Sequence, residues 1–267
     1  MSGVISTEVE MNALIIDVET TDVDPNSGEL IEIGAVVYDF EHYSPSESWS
    51  FLIRPENATL DSLNTEALEV HGIAPEMVLK HGITRDDAIA RLLDLSKGVD
   101  AAIAHNAEFE KLWLPEIETP WVCTMTDIEW PGSHGRKLSD IALCLGVGVV
   151  RAHRAIEDVL TVADMFTRCQ RYGHDLLPQV KAAMAPSLRY RAHVSFETKD
   201  LAKEQGFNWD RDRKTWWKNL RASDAEKVSG WDFKISVDFD ALSEADQERV
   251  RAAYSNKIPS LGILTQV

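Results

Sequence analysis

Three groups of residues have types and spacings that could do chemistry. Asp17 and Glu19 stand two apart, directly after the apolar run 13–16. On a strand that spacing turns both carboxylates to one side. Two like charges held together at the edge of a core repel and lose hydration, and a divalent cation between them relieves both costs. Ligation by oxygen alone suits magnesium or manganese rather than zinc. The alternative is that both acids lie just past the strand end and face water. The second group is His105, Asn106, Glu108 and Glu110, where a short strand runs directly into a helix. Acids in a first helical turn also complement the helix dipole without any further role. The third is His153, with Asp158 five residues on. A histidine at a helix start serves as a cap or a solvated group as readily as a base. Asp158 sits one turn into a helix whose apolar face is Ile156, Val159, Leu160, Ala163 and Phe166, a poor place for a surface acid.

The elements that must position these groups follow from periodicity. Residues 13–16 are too few for a buried helix and rich enough in isoleucine for a central strand. Residues 21–28 are a turn-rich link, 30–38 a second strand with Glu32 inside it, and 48–53 a third, closed by Arg54-Pro55. Short links between three strands predict an antiparallel meander. The pattern is helical over 60–95, with Thr84 and Asp87 marking one helix start. It gives a strand at 101–104 and helices at 107–114, 138–145 and 155–172, the last two stopping at Gly146 and Gly173. Strands first, then helices alternating with strands, is an α/β class with a mixed sheet. A boundary falls between 173 and 189, where Pro178 and Ala185-Pro186-Ser187 interrupt the pattern.

Composition narrows the partners. The 267 residues carry a net charge of −17. Residues 1–184 hold 13 Lys+Arg against 31 Asp+Glu, and residues 185–267 hold 14 against 13. The acidic body is repelled by phosphate backbones, so cations must do any local neutralising. No apolar run approaches a bilayer span, and residues 1–10 lack the basic start and apolar core of a secretion signal. Cys123, Cys144 and Cys169 are widely spaced, without a Cys-x-x-Cys pair. That predicts buried, unpaired thiols in a reducing cytoplasm.

Taken in order, Asp17-Val18-Glu19-Thr20-Thr21, His105-Asn106-Ala107-Glu108-Phe109-Glu110 and His153 with Asp158 resemble the motifs of the DEDDh (DnaQ-like) 3′–5′ exonucleases. His71-Gly72-Ile73, Cys123-Thr124-Met125, Lys137-Leu138 and Leu143 with Gly146 match the intervening pieces, so the resemblance covers roughly residues 12–170. It implies an RNase H-like mixed five-stranded sheet flanked by helices, and two magnesium or manganese ions beside the scissile phosphate. By the same resemblance Asp17, Glu19 and Asp158 are ligands, with Asp17 bridging, and Glu110 holds a metal through water. His153 takes a proton from the attacking water. Thr20, His71, Asn106 and Phe109 match residues that seat the terminal nucleotide, although Asn106 could instead only orient its turn. Two positions depart from the pattern: Glu110 stands where aspartate is usual, and Asp22 where glycine is usual.

Residues 194–217 read as strand, helix, glycine stop and hairpin, and resemble small modules found beside nucleic-acid enzymes. Between 189 and 221 there are nine Lys+Arg against five Asp+Glu. Tryptophans 209, 216, 217 and 231 could stack bases, with Lys199, Lys203, Arg211, Arg213 or Lys214 on the backbone. At least two of them are expected to build the core of so small a domain. Residues 238–254 read as a solvated amphipathic helix, and 258–267 as a last strand or partner contact. The expectation is therefore a DEDDh domain over 1–178 and a small α+β, Trp-rich auxiliary domain over 188–267. Its activity is expected to be release of nucleoside monophosphates from DNA 3′ ends, single-stranded or short. The alternatives are an RNA or oligoribonucleotide exonuclease, a polymerase's proofreading partner, or an inactive scaffold that binds 3′ ends.

Overall fold

The alternation of strand β1, Asn12–Thr20, explains the layers on either side of it. Ala13 and Ile15 enter one core cluster with Val159, Val162, Ala163 and Phe166. Leu14, Ile16 and Val18 enter another with Ala88, Ile89 and Leu92. A strand covered on both faces needs apolar residues at every position, which is why 13–16 is a continuous run. The computed structural model describes residues 11–63, 65–150, 152–185, 187–221, 224, 225, 231–242, 244 and 247. The chain divides into two compact units, 1–184 and 185–267.

In the first unit, β2 (Leu30–Asp39) pairs antiparallel with β1, and β3 (Ser44–Leu52) antiparallel with β2. β4 (Ala101–Ala104) and β5 (Trp121–Cys123) add in parallel, giving the order β3-β2-β1-β4-β5. The mixed five-stranded sheet is flanked by helices, as expected. Four of these fall between β3 and β4: α1 (Leu60–Leu63), α2 (Leu68–His71), α3 (Pro75–His81) and α4 (Arg85–Ser96). α5 (Ala107–Trp113), α6 (Leu138–Cys144), α7 (Ala155–Arg171) and α8 (Leu177–Ala183) complete the unit. α4 supplies Ala88, Ile89 and Leu92 on one face of β1, and α7 covers the other. At the start of α4 the Thr84 hydroxyl accepts the Asp87 N–H, the cap that the sequence marks.

Two expectations are corrected. β3 begins at Ser44 rather than 48, because it is an edge strand whose residues 45–50 are all exposed, leaving no apolar alternation to read. Cys123 and Cys169 are buried thiols, but Cys144 is exposed. α6 turns Ile141 and Ala142 into the core, and Cys144 lies off that face with its Sγ against the Gly132 carbonyl.

The second unit is a four-stranded antiparallel sheet. β6 (Leu188–His193), β7 (Asn208–Asp210), β8 (Thr215–Leu220) and β9 (Lys234–Val237) lie in the order β7-β8-β6-β9. α9 (Lys199–Glu204) ends at Gly206, whose φ of +76° is a conformation glycine adopts without strain. Leu188, Tyr190, Ala202, Phe207, Leu220 and Ile235 form its core, with Trp216 and Trp231 packed against them. Trp209 is exposed instead, and Trp217 lies under the Arg189 guanidinium, 4.2 Å from its ring centre. The solvated helix expected from residue 238 is not what that residue begins. Asp238 is buried and accepts from Arg189, and Phe239–Ala241 is a single 3-10 turn. Of that stretch only 238–242, 244 and 247 are described; 258–267 lies outside the described residues.

Candidate active site

The stripe of β1 that packs on α7 continues past Ala13 and Ile15 to Asp17 and Glu19, so neither acid lies beyond the strand. In the pairing with β2, Asp17 faces Gly34 and Glu19 faces Glu32. α7 begins against this point. A Cβ on Gly34 would overlap the backbone carbonyl of Ala155, so the close approach of helix to strand requires glycine there. That approach carries Asp158, one turn into α7, to the two acids of β1. Carboxylate oxygens of Asp17, Glu19 and Asp158 lie within 4.8 Å of one another.

A fourth carboxylate comes from α5, which rises from the end of β4. Glu110 is 3 % exposed, and its Oε2 is buried without a hydrogen-bond partner. Glu108, two residues earlier, points outward and pairs with Lys111 at 2.6 Å. The cost of the assembly appears in its acidities. Burial, then the charges of Glu110, Glu19, Asp158 and Glu32, hold the Asp17 carboxyl well above the usual range. Burial, reinforced by Asp158 and Glu32, pushes Glu19 up to about 8. Glu110 also rises to about 8, again chiefly by burial, with the charge of Glu19 adding to it. Asp158 is raised by burial as well. One buried and three half-buried carboxylates, with one unpartnered oxygen, are a hard-oxygen donor set, and a divalent cation fits it on charge and chemistry.

His153 precedes α7 with φ of +63°, and its N–H donates to Asp158 Oδ2 at 3.1 Å. Its side chain is exposed. The next residue anchors this turn: Arg154 reaches Glu32 through Nη2–Oε1 at 2.6 Å and Nε–Oε2 at 3.0 Å. The same carboxylate accepts the Ala155 N–H at 3.0 Å. Glu32 and Arg154 are residues that the motif reading did not single out. The one signal was a glutamate inside an otherwise apolar strand, which has to find a cation when buried.

Residues 14–110 match the exonuclease family. His153 and Asp158 lie beyond that match, and the fold brings Asp158 back to the acids inside it. The exonuclease match and the geometry coincide in the first unit, which is similar to exonucleases over that span. Exodeoxyribonuclease 10 of Escherichia coli K12 is 32 % identical to this chain over 132 residues, 48 % of this chain and 52 % of that one. The PolC-type DNA polymerase III of Thermotoga petrophila is 27 % identical over 165 residues, 58 % of this chain and 12 % of the relative. The chain thus spans about half of one relative and a small part of the other. The structure of exonuclease X in complex with 5′ overhanging duplex DNA covers 65 % of this chain and 99 % of its own, with a TM-score of 0.50 and 23 % identity. That likeness establishes the RNase H-like exonuclease fold. Residues 188–235 match a domain of unknown function.

The remaining expected site residues of the first unit fall as follows. His71, at the end of α2, is buried, and its Nδ1 accepts the Ile73 N–H at 2.9 Å. The ring proton therefore sits on Nε2, which is buried without a partner. Burial pushes the pKa of this imidazole down, against the charge of Glu32 and with those of Arg154 and His153, which favours the neutral ring. Asn106 occupies the cap position of α5, is exposed and makes no side-chain capping bond, so it does not orient the turn in that way. Phe109 is half-buried beside Trp113. The Thr20 hydroxyl donates to the Asp22 carbonyl at 2.6 Å. Asp22 has no positive φ, so the loop accepts it where the family pattern has glycine. His105 is tied to Thr124 and to the Arg136 carbonyl, and serves the architecture.

Proposed function

We propose that the chain is a metal-dependent 3′–5′ exonuclease that releases nucleoside monophosphates from DNA ends. The observation that carries the reading is the convergence of Asp17, Glu19 and Asp158 within 4.8 Å, beside the unpartnered oxygen of Glu110. Among the curated relatives, the exodeoxyribonuclease at 32 % identity supports DNA, and an oligoribonuclease and a ribonuclease T at 26 and 27 % keep RNA as the second reading.

Asp17, Glu19 and Asp158 would hold two magnesium or manganese ions directly, and Glu110 one of them through water. Bound there, the ions supply charge stabilisation to the oxygens of an in-line phosphoryl displacement. The chain's own residues do the rest. His153, on the exposed turn before α7, takes a proton from the attacking water at its imidazole. Its backbone bond to Asp158 keeps base and ligand in one unit. The neutral His71 offers its Nε2–H as a donor to the terminal nucleotide. Asn106 and Phe109 offer an uncommitted amide and a ring edge, and Thr20 lines the same strand end. Single-stranded or short ends suit a unit whose own charge repels long duplexes. The three free thiols support a cytoplasmic site of action, and among the described residues no helix is long and apolar enough to cross a membrane.

Digestion of 5′-labelled DNA and RNA, single- and double-stranded, tests this. A ladder shortening from the 3′ end, present with magnesium or manganese and absent with EDTA, is expected for wild type. Asp17→Ala and His153→Ala should abolish it. A folded wild-type protein that yields no ladder with either metal rejects the activity, and a ladder from RNA alone rejects the DNA assignment.

A further inference from the structure

The second unit leaves two large apolar side chains in water among its described residues, Phe196 at 78 % and Trp209 at 47 % exposure. Phe196 adjoins a lysine of α9, and Trp209 reaches a second one through Trp216. Lys199 Nζ stands 3.5 Å from the centre of the Phe196 ring. Lys203 Nζ lies over Trp216 at 5.8 Å, and Trp216 faces Trp209 across β7 and β8 with ring centres 5.4 Å apart. Lys199 and Lys203 are four apart on one helix, so they share a face. The result is a stripe that runs Phe196, Lys199, Lys203, Trp216, Trp209 along a single surface.

Exposed rings of this size are not needed by the core, which is filled by Leu188, Tyr190, Phe207 and Leu220. The charge around them is equally uneconomical for an acidic protein. Residues 189–221 carry nine Lys+Arg against five Asp+Glu, whereas residues 1–184 are strongly acidic. Part of that positive charge is spent internally, since Arg189 is held by Asp210 and Asp238. Lys203 also gives one bond to Asp200, at 2.8 Å on the exposed helix surface. Its ammonium keeps further donors. Alternating aromatic faces and ammonium groups match one ligand chemistry: unpaired bases that stack, joined by phosphates that need cations. A duplex hides its base faces and does not fit.

We infer that the second unit is a binding module for single-stranded nucleic acid, with Phe196 and Trp209 stacking bases and Lys199 and Lys203 contacting phosphates. The site does not depend on a 3′ end, which separates it from the active site. Covalently closed single-stranded circles therefore test it independently of the exonuclease reading. Fluorescein-labelled circular DNA and circular RNA would be titrated with the full chain in EDTA, following anisotropy.

Wild type should bind at least one of the circles. Phe196→Ala, which removes no core packing, and Trp209→Ala should each weaken binding by about tenfold. Lys199→Ala with Lys203→Ala should flatten the dependence of log K on log salt by about 1.4. The two circles separate a DNA from an RNA preference. Failure of the wild-type chain to bind either circle overturns the inference. So does binding that all four substitutions leave unchanged, which would make the stripe a surface for protein.

Discussion

The guanidinium of Arg154 closes on the carboxylate of Glu32 through two bonds, 2.6 and 3.0 Å long, and Glu32 has no exposed surface. The pair joins a residue of β2 to the turn that carries His153 and leads into Asp158. Removing Arg154 leaves the buried carboxylate with the Ala155 N–H as its remaining strong donor. Arg154→Ala should cost about 3 kcal/mol of stability, the low end for a broken buried pair, because the arginine is itself partly exposed. Urea unfolding measures this. At temperatures where the variant is folded, turnover should fall more than substrate affinity does, because the turn that presents His153 is no longer anchored.

Gly34 sets the distance between sheet and helix. Gly34→Ala places a methyl group into the Ala155 backbone and pushes the start of α7 away from Asp17. A loss of roughly 2 kcal/mol, with loss of the metal-dependent activity, is expected. Gly148→Ala is the control, since nothing lies within 4 Å of its Cβ position. Thermal unfolding of the two variants should differ by several degrees.

How much of this was legible in the sequence depends on the reach of each interaction. The strand at 101–104 and the helix from 155 declare themselves locally, through a short apolar run and an apolar face ended by glycine. Asp17 and Glu19 were readable because their spacing matches the strand period. Which face they share was not, since that depends on α7 packing over Ala13 and Ile15. The Glu32–Arg154 pair spans 122 residues, and no local pattern couples them. The exposed start of β3 lacked the alternation that a buried face imposes. Asp238 was misread for a similar reason: its partner Arg189 is 49 residues away.

The metal-free protein should lose stability as pH rises. Glu19 and Glu110 release their protons near 8 when folded and near the ordinary carboxylate value when unfolded. Between about 4.5 and 8 the native state therefore holds more protons than the unfolded state, and stability falls with increasing pH across that window. In EDTA the melting temperature should drop by several degrees from pH 5.5 to pH 8.5. Magnesium or manganese should restore it most at the alkaline end, where the ligands are already deprotonated. A flat profile in EDTA would contradict the buried, mutually repelling cluster.

Glu110→Gln should separate stability from activity. Above about pH 8, where Glu110 is ionised, it removes one buried charge beside Asp17 and Glu19 while keeping the shape of the side chain. At pH 8.5 the metal-free variant should melt higher than the metal-free wild type, whereas its nuclease rate falls by at least about tenfold. Scanning calorimetry in EDTA and the ladder assay in manganese give the two readings.

The central claim is that Asp17, Glu19 and Asp158, from two distant segments, form one divalent-cation site. Titration of manganese followed by electron paramagnetic resonance tests it without substrate or turnover. The free-ion signal should be depleted by wild type, and Asp158→Asn should weaken that binding by about a hundredfold. Equal manganese affinity in the two proteins would contradict the account.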